Sequence, residues 1–253
     1  MSSELNAAIV VQARMGSVRL PGKALAELAG EPLLGHVAAR LGSAPVCGPL
    51  IVAIPDGAGD DQIELWCRRQ GLRCFRGSEE DVLDRFWRAV ADEKVDYVVR
   101  ATGDNPLVWE GAVAFMAERM VPEGLDYCAF TGRVTLGLGL ELFTRDALDR
   151  ARRAARHAYQ REHVTPWMYE DKRRFRAAHF DPPAALRSPY RLTVDTPEDL
   201  ELMRLLYDRL YRPGRIVPAA EAVKHLRDNP DAAGINAAVR QKGYKESGQR
   251  PRP

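Results

Sequence analysis

The chain predicts an α/β fold with a mostly parallel central sheet flanked by helices. Two observations carry this. Through the first half, short apolar runs alternate with segments whose apolar residues recur at i, i+3 and i+4. Strands that alternate with helices in this way pair in parallel through right-handed crossovers. Loops rich in glycine and charge also follow two of the strands, and open α/β sheets bind ligands outside the carboxyl ends of their strands.

The elements follow in order. Ala7–Gln12 is a strand, and Pro32–Leu41 a helix with Pro32 in its first turn. Leu50–Ile54 is the second strand. Asp60–Gln70 is helical, with Ile63, Leu65, Trp66 and Cys67 on an apolar side and Gly71 ending it. Leu72–Phe75 is the third strand. Ser78 and Asp81 precede the helical pattern Val82, Leu83, Phe86, Trp87 and Val90, and Asp96–Ala101 is the fourth strand. The second half is less regular. Asp126–Phe130 and Leu138–Phe143 read as strands around Gly137-Leu138-Gly139, Arg145–Arg156 and Gln160–Glu170 as helices, and Phe175–Phe180 and Tyr190–Val194 as strands. Thr196-Pro197-Glu198-Asp199 opens a helix with a capping threonine, a proline at the first position and a capping-box acid. Leu200–Leu210 continues it, Pro213-Gly214 breaks the chain, and Ala219–Leu226 is a last short helix. Residues 1–241 are expected to form one domain, and the polar tail Lys242–Pro253 is expected to be disordered.

The composition is that of a soluble protein: 253 residues, 45% apolar and 28% charged. A net charge of +2 argues against bulk nucleic-acid binding. The basic helix from Arg145 interleaves Asp146 and Asp149 with its arginines, as a solvated face does. Cys47, Cys67, Cys74 and Cys128 form no CxxC pair and read as reduced thiols. No apolar run is long enough to span a membrane and no signal-peptide core is present, so a cytoplasmic location is expected.

Residues 11–23, Val-Gln-Ala-Arg-Met-Gly-Ser-Val-Arg-Leu-Pro-Gly-Lys, place two glycines, two arginines and a lysine after the first strand. Backbone N–H groups and fixed positive charge at one point suit a polyphosphate. A Walker A loop is excluded by spacing: five residues separate Gly16 from Gly22, and Ala24 follows Lys23 where a Ser or Thr is required. A Rossmann glycine fingerprint is excluded because no third glycine opens a helix. An ordinary turn with exposed charges stands as the other reading.

Asp104, in Arg100-Ala-Thr-Gly-Asp-Asn-Pro-Leu107, leaves a strand end after a glycine. Asp195, in Leu192-Thr-Val-Asp-Thr-Pro-Glu-Asp199, also leaves a strand just before a helix. Two carboxylates opposite a basic, N–H-rich loop form a magnesium–triphosphate arrangement. Taken singly, Asp104 also fits a turn residue and Asp195 a helix cap.

Segment 12–34 resembles the opening of the cytidylyltransferases that activate acidic sugars, such as CMP-Kdo synthetase and CMP-sialic acid synthetase. It resembles more closely the spore-coat polysaccharide biosynthesis branch of that superfamily. Gly77–Phe86, Arg100–Leu107, Arg161–Trp167 and Arg191–Leu200 extend the resemblance, in family order. It implies a Rossmann-like, GT-A-type nucleotidyltransferase fold, CTP as co-substrate, magnesium as cofactor and a homodimer, with an acceptor or dimerisation part around 126–190. It also implies roles for individual residues. Gln12, Ala13, Arg14, Met15 and Gly16 would wrap the cytidine and triphosphate, and Arg19 and Lys23 would neutralise phosphates. Arg100, Ala101 and Thr102 would lie near base and ribose, and Asp104 and Asp195 would bind magnesium. Arg14, Lys23, Asp104 and Asp195 are the expected catalytic set.

The implied reaction moves CMP from CTP to an acidic acceptor, a nonulosonic or other sugar acid, with release of pyrophosphate. Arg133, Arg161, His163, Arg187 and Arg191 are candidates for a clamp on the acceptor's anionic group. Residues 131–143 lack the Pro-x-Gly-Leu-Asp-like stretch usual in the spore-coat branch, although Glu141 remains, and Pro55 stands where relatives often carry Thr or Ser. Similar enzymes of phosphonate antibiotic pathways cytidylylate small phosphonates, and that resemblance implies a small phosphonate as the alternative acceptor. A guanylyl- or uridylyltransferase and a non-catalytic nucleotide-binding protein are the alternatives in other classes.

Overall fold

The structure, a computed structural model, describes residues 4–171 and 173–241. The tail expected to be disordered, Lys242–Pro253, lies outside the described residues. The strands are β1 (Ala7–Gln12), a short ribbon β2 (Glu27–Leu28) and β3 (Glu31–Pro32), β4 (Leu50–Pro55), β5 (Arg73–Gly77), β6 (Tyr97–Thr102), β7 (Tyr127–Phe130), β8 (Glu141–Thr144) and β9 (Ala177–Phe180). Seven of them form one sheet in the order β5-β4-β1-β6-β8-β7-β9. β5, β4, β1 and β6 pair in parallel, β8 runs antiparallel between β6 and β7, and β9 is parallel to β7. The mostly parallel sheet expected from the alternation is the one that forms.

The helices are α1 (Leu33–Gly42), α2 (Asp61–Arg69), α3 (Val82–Ala89), α4 (Ala112–Glu123), α5 (Arg145–Ala154), α6 (Ala158–His163), α7 (Pro166–Tyr169), α8 (Pro197–Leu210), α9 (Ala219–Asp228) and α10 (Pro230–Gly234). Along β1, Ala7, Ile9 and Val11 point to a core shared with α1, α4, α8 and α9, while Ala8 and Val10 point to a second core shared with α3 and α5. A strand covered on both faces has no polar alternation, which is why Ala7–Val11 reads as a continuous apolar run.

The structure corrects four expectations. Tyr190–Val194 joins no sheet; it is extended chain with one bridge, Leu136 to Arg191, and a Leu192 N–H donated to the Leu136 carbonyl at 2.8 Å. The strand expected over Leu138–Phe143 begins only at Glu141, because Gly137 turns the chain and Leu138 and Leu140 fill the core instead. The helix expected over Gln160–Glu170 is broken at Val164, whose φ is 70°. The basic helix stops at Ala154, where the Ala155 backbone turns extended and Arg161 donates to the carbonyls of Arg152 and Ala155 at 3.3 and 3.2 Å. Helix α4 was not expected at all. Its signals are the buried Ala112, Val113, Met116 and Met120 and a left-handed Gly124 at its C-terminus. Pro122 obscures them, yet it sits in the last turn, where a proline disturbs the helix least.

Three features bring the site together. Gln12 and Thr102 are register partners at the carboxyl ends of β1 and β6. Gly103 then packs the two outgoing loops against each other: a Cβ there would lie 3.1 Å from both the Ala13 side chain and the Gln12 carbonyl. Residues 191–195 are docked onto this edge by the Val194 N–H, which donates to the Asp104 carbonyl at 2.9 Å.

Candidate active site

The loop after β1 closes on itself. The N–H groups of Ser17 and Gly22 both donate to the Met15 carbonyl at 2.9 Å, and Gly22, at φ 75°, turns the chain into a single 3-10 turn at Lys23–Leu25. The Met15 N–H is held by the buried Asp60 carboxylate at 2.6 Å. This anchors the loop to the end of β4 and leaves Gly16–Leu20 facing the crevice, with Val18 at the tip almost fully exposed.

Lys23 lies between the two candidate metal-binding carboxylates. Its Nζ donates to Asp104 Oδ2, Asp195 Oδ1 and the Val194 carbonyl, each at 2.8 Å. Arg19 and Arg191 both reach Asp195 Oδ2, at 3.0 and 2.5 Å. Burial acts to raise the Asp195 carboxyl, but Lys23 first and then Arg19 and Arg191 outweigh it and hold the group below its ordinary range. Burial likewise acts to lower the Lys23 ammonium, and the two carboxylates override it and raise the group above its ordinary range. The tertiary structure thus joins Arg19, Lys23, Asp104 and Asp195, drawn from three distant segments, into one cluster.

The other expected residues take different positions. Arg100 and Gln12 point to the opposite face of the sheet. There Arg100 Nη2 donates to Gln12 Oε1 at 3.0 Å, and its Nη1 pairs with Glu141. Glu141 also accepts from the Tyr127 hydroxyl at 2.6 Å and the Thr165 hydroxyl at 2.7 Å. Arg14 stands at the rim with a 3.4 Å contact to Glu79. Ala101 is buried in the core. Thr102 accepts a 2.8 Å hydrogen bond from Asn105 Nδ2, which stiffens the turn carrying Asp104.

Of the five acceptor-clamp candidates, Arg191 belongs to the Asp195 cluster. Arg161 is a structural staple, binding Asp81 and two backbone carbonyls. Arg187 donates to the Pro182 carbonyl at 2.7 Å, Arg133 pairs with Asp181 at the surface, and His163 ends α6. Two residues beside the crevice were not singled out from sequence. Asp60 anchors Met15. Arg85 is only 3% exposed, donates to the Ser78 carbonyl at 2.7 Å, and has no partner for its Nε among the described residues. Burial, and then the like charge of Arg14, pushes its guanidinium down to about 10. Its one sequence signal is its place in Gly77–Phe86, a segment that carries the family resemblance.

Asp104 Oδ2 and Asp195 Oδ1 already converge on one cation, so as hard oxygen ligands they fit a divalent ion of the magnesium type. Among the described residues no group of three or more His, Cys, Asp or Glu forms a metal cage. Two carboxylates alone are the usual protein share when phosphates and water complete the shell.

A mostly parallel sheet with a cationic loop and two carboxylates at its strand ends defines a nucleotidyltransferase of the Rossmann-like type. The solved structures agree: a cytidylyltransferase from Leptospira borgpetersenii superposes with a TM-score of 0.84 at 26% identity, over 94% of this chain and all of that one. CMP:2-keto-3-deoxy-manno-octonic acid synthetase complexed with CTP shares the fold at a TM-score of 0.60 and 21% identity, over 80% and 98% of the two chains. A family model described as cytidylyltransferase matches residues 8–222, and the chain belongs to that family. It is 37% identical to the spore coat polysaccharide biosynthesis protein SpsF of Bacillus subtilis, over 88% of this chain and 95% of that protein. It is 32% identical to 3-deoxy-manno-octulosonate cytidylyltransferase of Rhodospirillum centenum, over 51% of each. The chain is a CTP-dependent nucleotidyltransferase. Among the described residues no helix is long and apolar enough to cross a membrane.

Proposed function

We propose that the enzyme transfers CMP from CTP to an acidic small-molecule acceptor, a nonulosonic or related sugar acid. The observation that carries this is the convergence of Lys23, Arg19, Asp104 and Asp195 at the ends of β1 and β6. The relatives that act on 3-deoxy-manno-octulosonate, itself a sugar acid, support the choice of acceptor. The acceptor oxygen forms a bond to the α-phosphorus of CTP while the bond from that phosphorus to the bridging oxygen breaks. Pyrophosphate leaves, and the acceptor's proton passes to water. Lys23 and Arg19 carry the charge that stabilises the leaving pyrophosphate, and the loop N–H groups orient the phosphates. Asp104 and Asp195 would hold magnesium, which when bound supplies further positive charge to the triphosphate. Gln12, and the Arg100 that pairs with both Gln12 and Glu141, would offer polar groups to the nucleoside or acceptor on the other side of the strand ends.

The test measures pyrophosphate release with CTP and magnesium over a panel of nonulosonic acids and small phosphonates, alongside thermal shifts with the four nucleoside triphosphates. Release with a sugar acid and preferential stabilisation by CTP are expected. Release with phosphonates alone would move the acceptor to that class, and no release with any acid would refute the acidic acceptor. Asp104→Asn and Asp195→Asn are each expected to lower turnover by about 100-fold. Near-wild-type rates in both would remove the metal assignment.

A further inference from the structure

We infer that the C-terminal segment after α9, through Asn236 and Gln241, positions the carboxylate of Asp195, and that Arg191 and Asp199 transmit this positioning. The inference rests on the reading of Asp195 as a metal-binding carboxylate. Arg191 is buried, and its guanidinium bridges two carboxylates: Nε donates to Asp199 Oδ1 at 2.9 Å and Nη2 to Asp195 Oδ2 at 2.5 Å. The guanidinium is planar and its donors form a rigid fork, so the place of one carboxylate sets the place of the other. Asp199 is itself saturated. Its Oδ2 accepts the N–H groups of Asp195 and Thr196 at 2.9 and 3.1 Å, and its Oδ1 also accepts Asn236 Nδ2 at 2.8 Å.

Asn236, 3% exposed, uses the same amide nitrogen to donate to the Arg191 carbonyl at 3.0 Å. It therefore grips Arg191 by its backbone and, through Asp199, by its side chain. The remaining Arg191 nitrogen, Nη1, donates to Gln241 Oε1. Two residues from the end of the described chain thus close a network whose other end is a catalytic-site carboxylate. Helix capping accounts for Asp199 bonding to Thr196; it does not call for Arg191, Asn236 or Gln241. The family model matches residues 8–222, so Asn236 and Gln241 lie beyond the residues it matches. Groups that orient metal-binding carboxylates weaken metal affinity or activity by about 10–100-fold when removed.

The test uses the full chain as wild type, Asn236→Leu, Gln241→Ala and Asp195→Asn. Mn²⁺ is titrated with CTP at a fixed concentration, against a blank of CTP without protein, and the free-ion electron paramagnetic resonance signal is read. The magnesium concentration for half-maximal turnover and the KM for CTP are measured in parallel. Asn236→Leu is expected to weaken Mn²⁺ binding about tenfold and Gln241→Ala about threefold, in the same direction, with smaller changes in the KM for CTP. Gln241 is exposed, so Gln241→Ala keeps the fold and decides the case if Asn236→Leu does not fold. A lowered melting temperature with Mn²⁺ affinity within about twofold of wild type in the folded variants would overturn the positioning role. Wild-type protein that binds no Mn²⁺, or an Asp195→Asn variant that binds it equally well, would instead overturn the metal reading, and the inference with it.

Discussion

Replacing Lys23 with methionine removes one cation from a cluster in which it faces two carboxylates and a carbonyl, each at 2.8 Å. The Lys23 side chain is 11% exposed, that of Asp195 15% and that of Asp104 26%. Breaking a buried ion pair by deleting one partner costs about 3–5 kcal/mol, because a charge is left uncompensated. Asp195 keeps Arg19 and Arg191, and Asp104 can turn toward water, so the lower end applies, about 3 kcal/mol. For a chain of this length that is a fall in melting temperature of about 6–12 °C. The assay is thermal unfolding of wild type, Lys23→Met, Asp104→Asn and the double variant, without nucleotide. The double variant should recover part of the loss, with a coupling of about 1–3 kcal/mol. A Lys23→Met midpoint within about 2 °C of wild type, or strict additivity in the cycle, would refute the claim that Lys23 holds the two carboxylates together.

Three further outcomes are expected. The Asp195 carboxyl lies below its ordinary range, so its contribution to stability is full above about pH 4 and is lost as pH falls through the lowered folded value. The Lys23 ammonium lies above its ordinary range, so its contribution is full below about pH 10 and is lost as pH rises through the raised folded value. The difference in melting temperature between wild type and Asp195→Asn should therefore stay flat between about pH 5 and 9; a difference that shrinks within that window contradicts the assignment. Gly137→Ala puts a Cβ 2.4 Å from the Leu192 carbonyl carbon at φ 96°, and should cost at least about 2 kcal/mol in thermal or urea unfolding while lowering turnover through displacement of residues 191–195. Glu141→Gln removes the anion paired with the largely buried Arg100 and should cost about 3 kcal/mol; an unchanged melting temperature would refute the claim that Glu141 compensates the Arg100 charge.

Local sequence determined a good part of this protein. The apolar run Ala7–Val11 is buried on both sides because nothing in it tolerates water. The Thr196-Pro197-Glu198-Asp199 start forms its capping box as expected, with Thr196 and Asp199 each bonding the other's backbone N–H. The order of the main-sheet strands and the helices through residue 102 follows from the alternation of periods; the short β2–β3 ribbon, which takes Pro32 from the expected helix start, has no periodic signal. The basic loop after β1 and the two aspartates that meet Lys23 stand out in the sequence because each lies at a strand end or helix start, where side-chain chemistry is poorly explained by packing.

Other features exist only in the tertiary structure. That Lys23 meets Asp104 and Asp195 depends on contacts between segments 81 and 172 residues apart, which no local pattern encodes. Arg191 read as an acceptor clamp because an arginine's role is set by what it faces, and its partners Asp199, Asn236 and Gln241 come from a helix start and the distant C-terminal segment. Glu141 looked like a strand residue, and only the pairing of β8 between β6 and β7 brings it to Arg100, Tyr127 and Thr165. Segment Tyr190–Val194 has strand-like residues but joins no sheet among the described residues. It docks on the Gly137 turn and the Asp104 loop instead, and that docking brings Asp195 to the strand ends. Periodicity decides what a segment can bury, and long-range packing decides which charges meet.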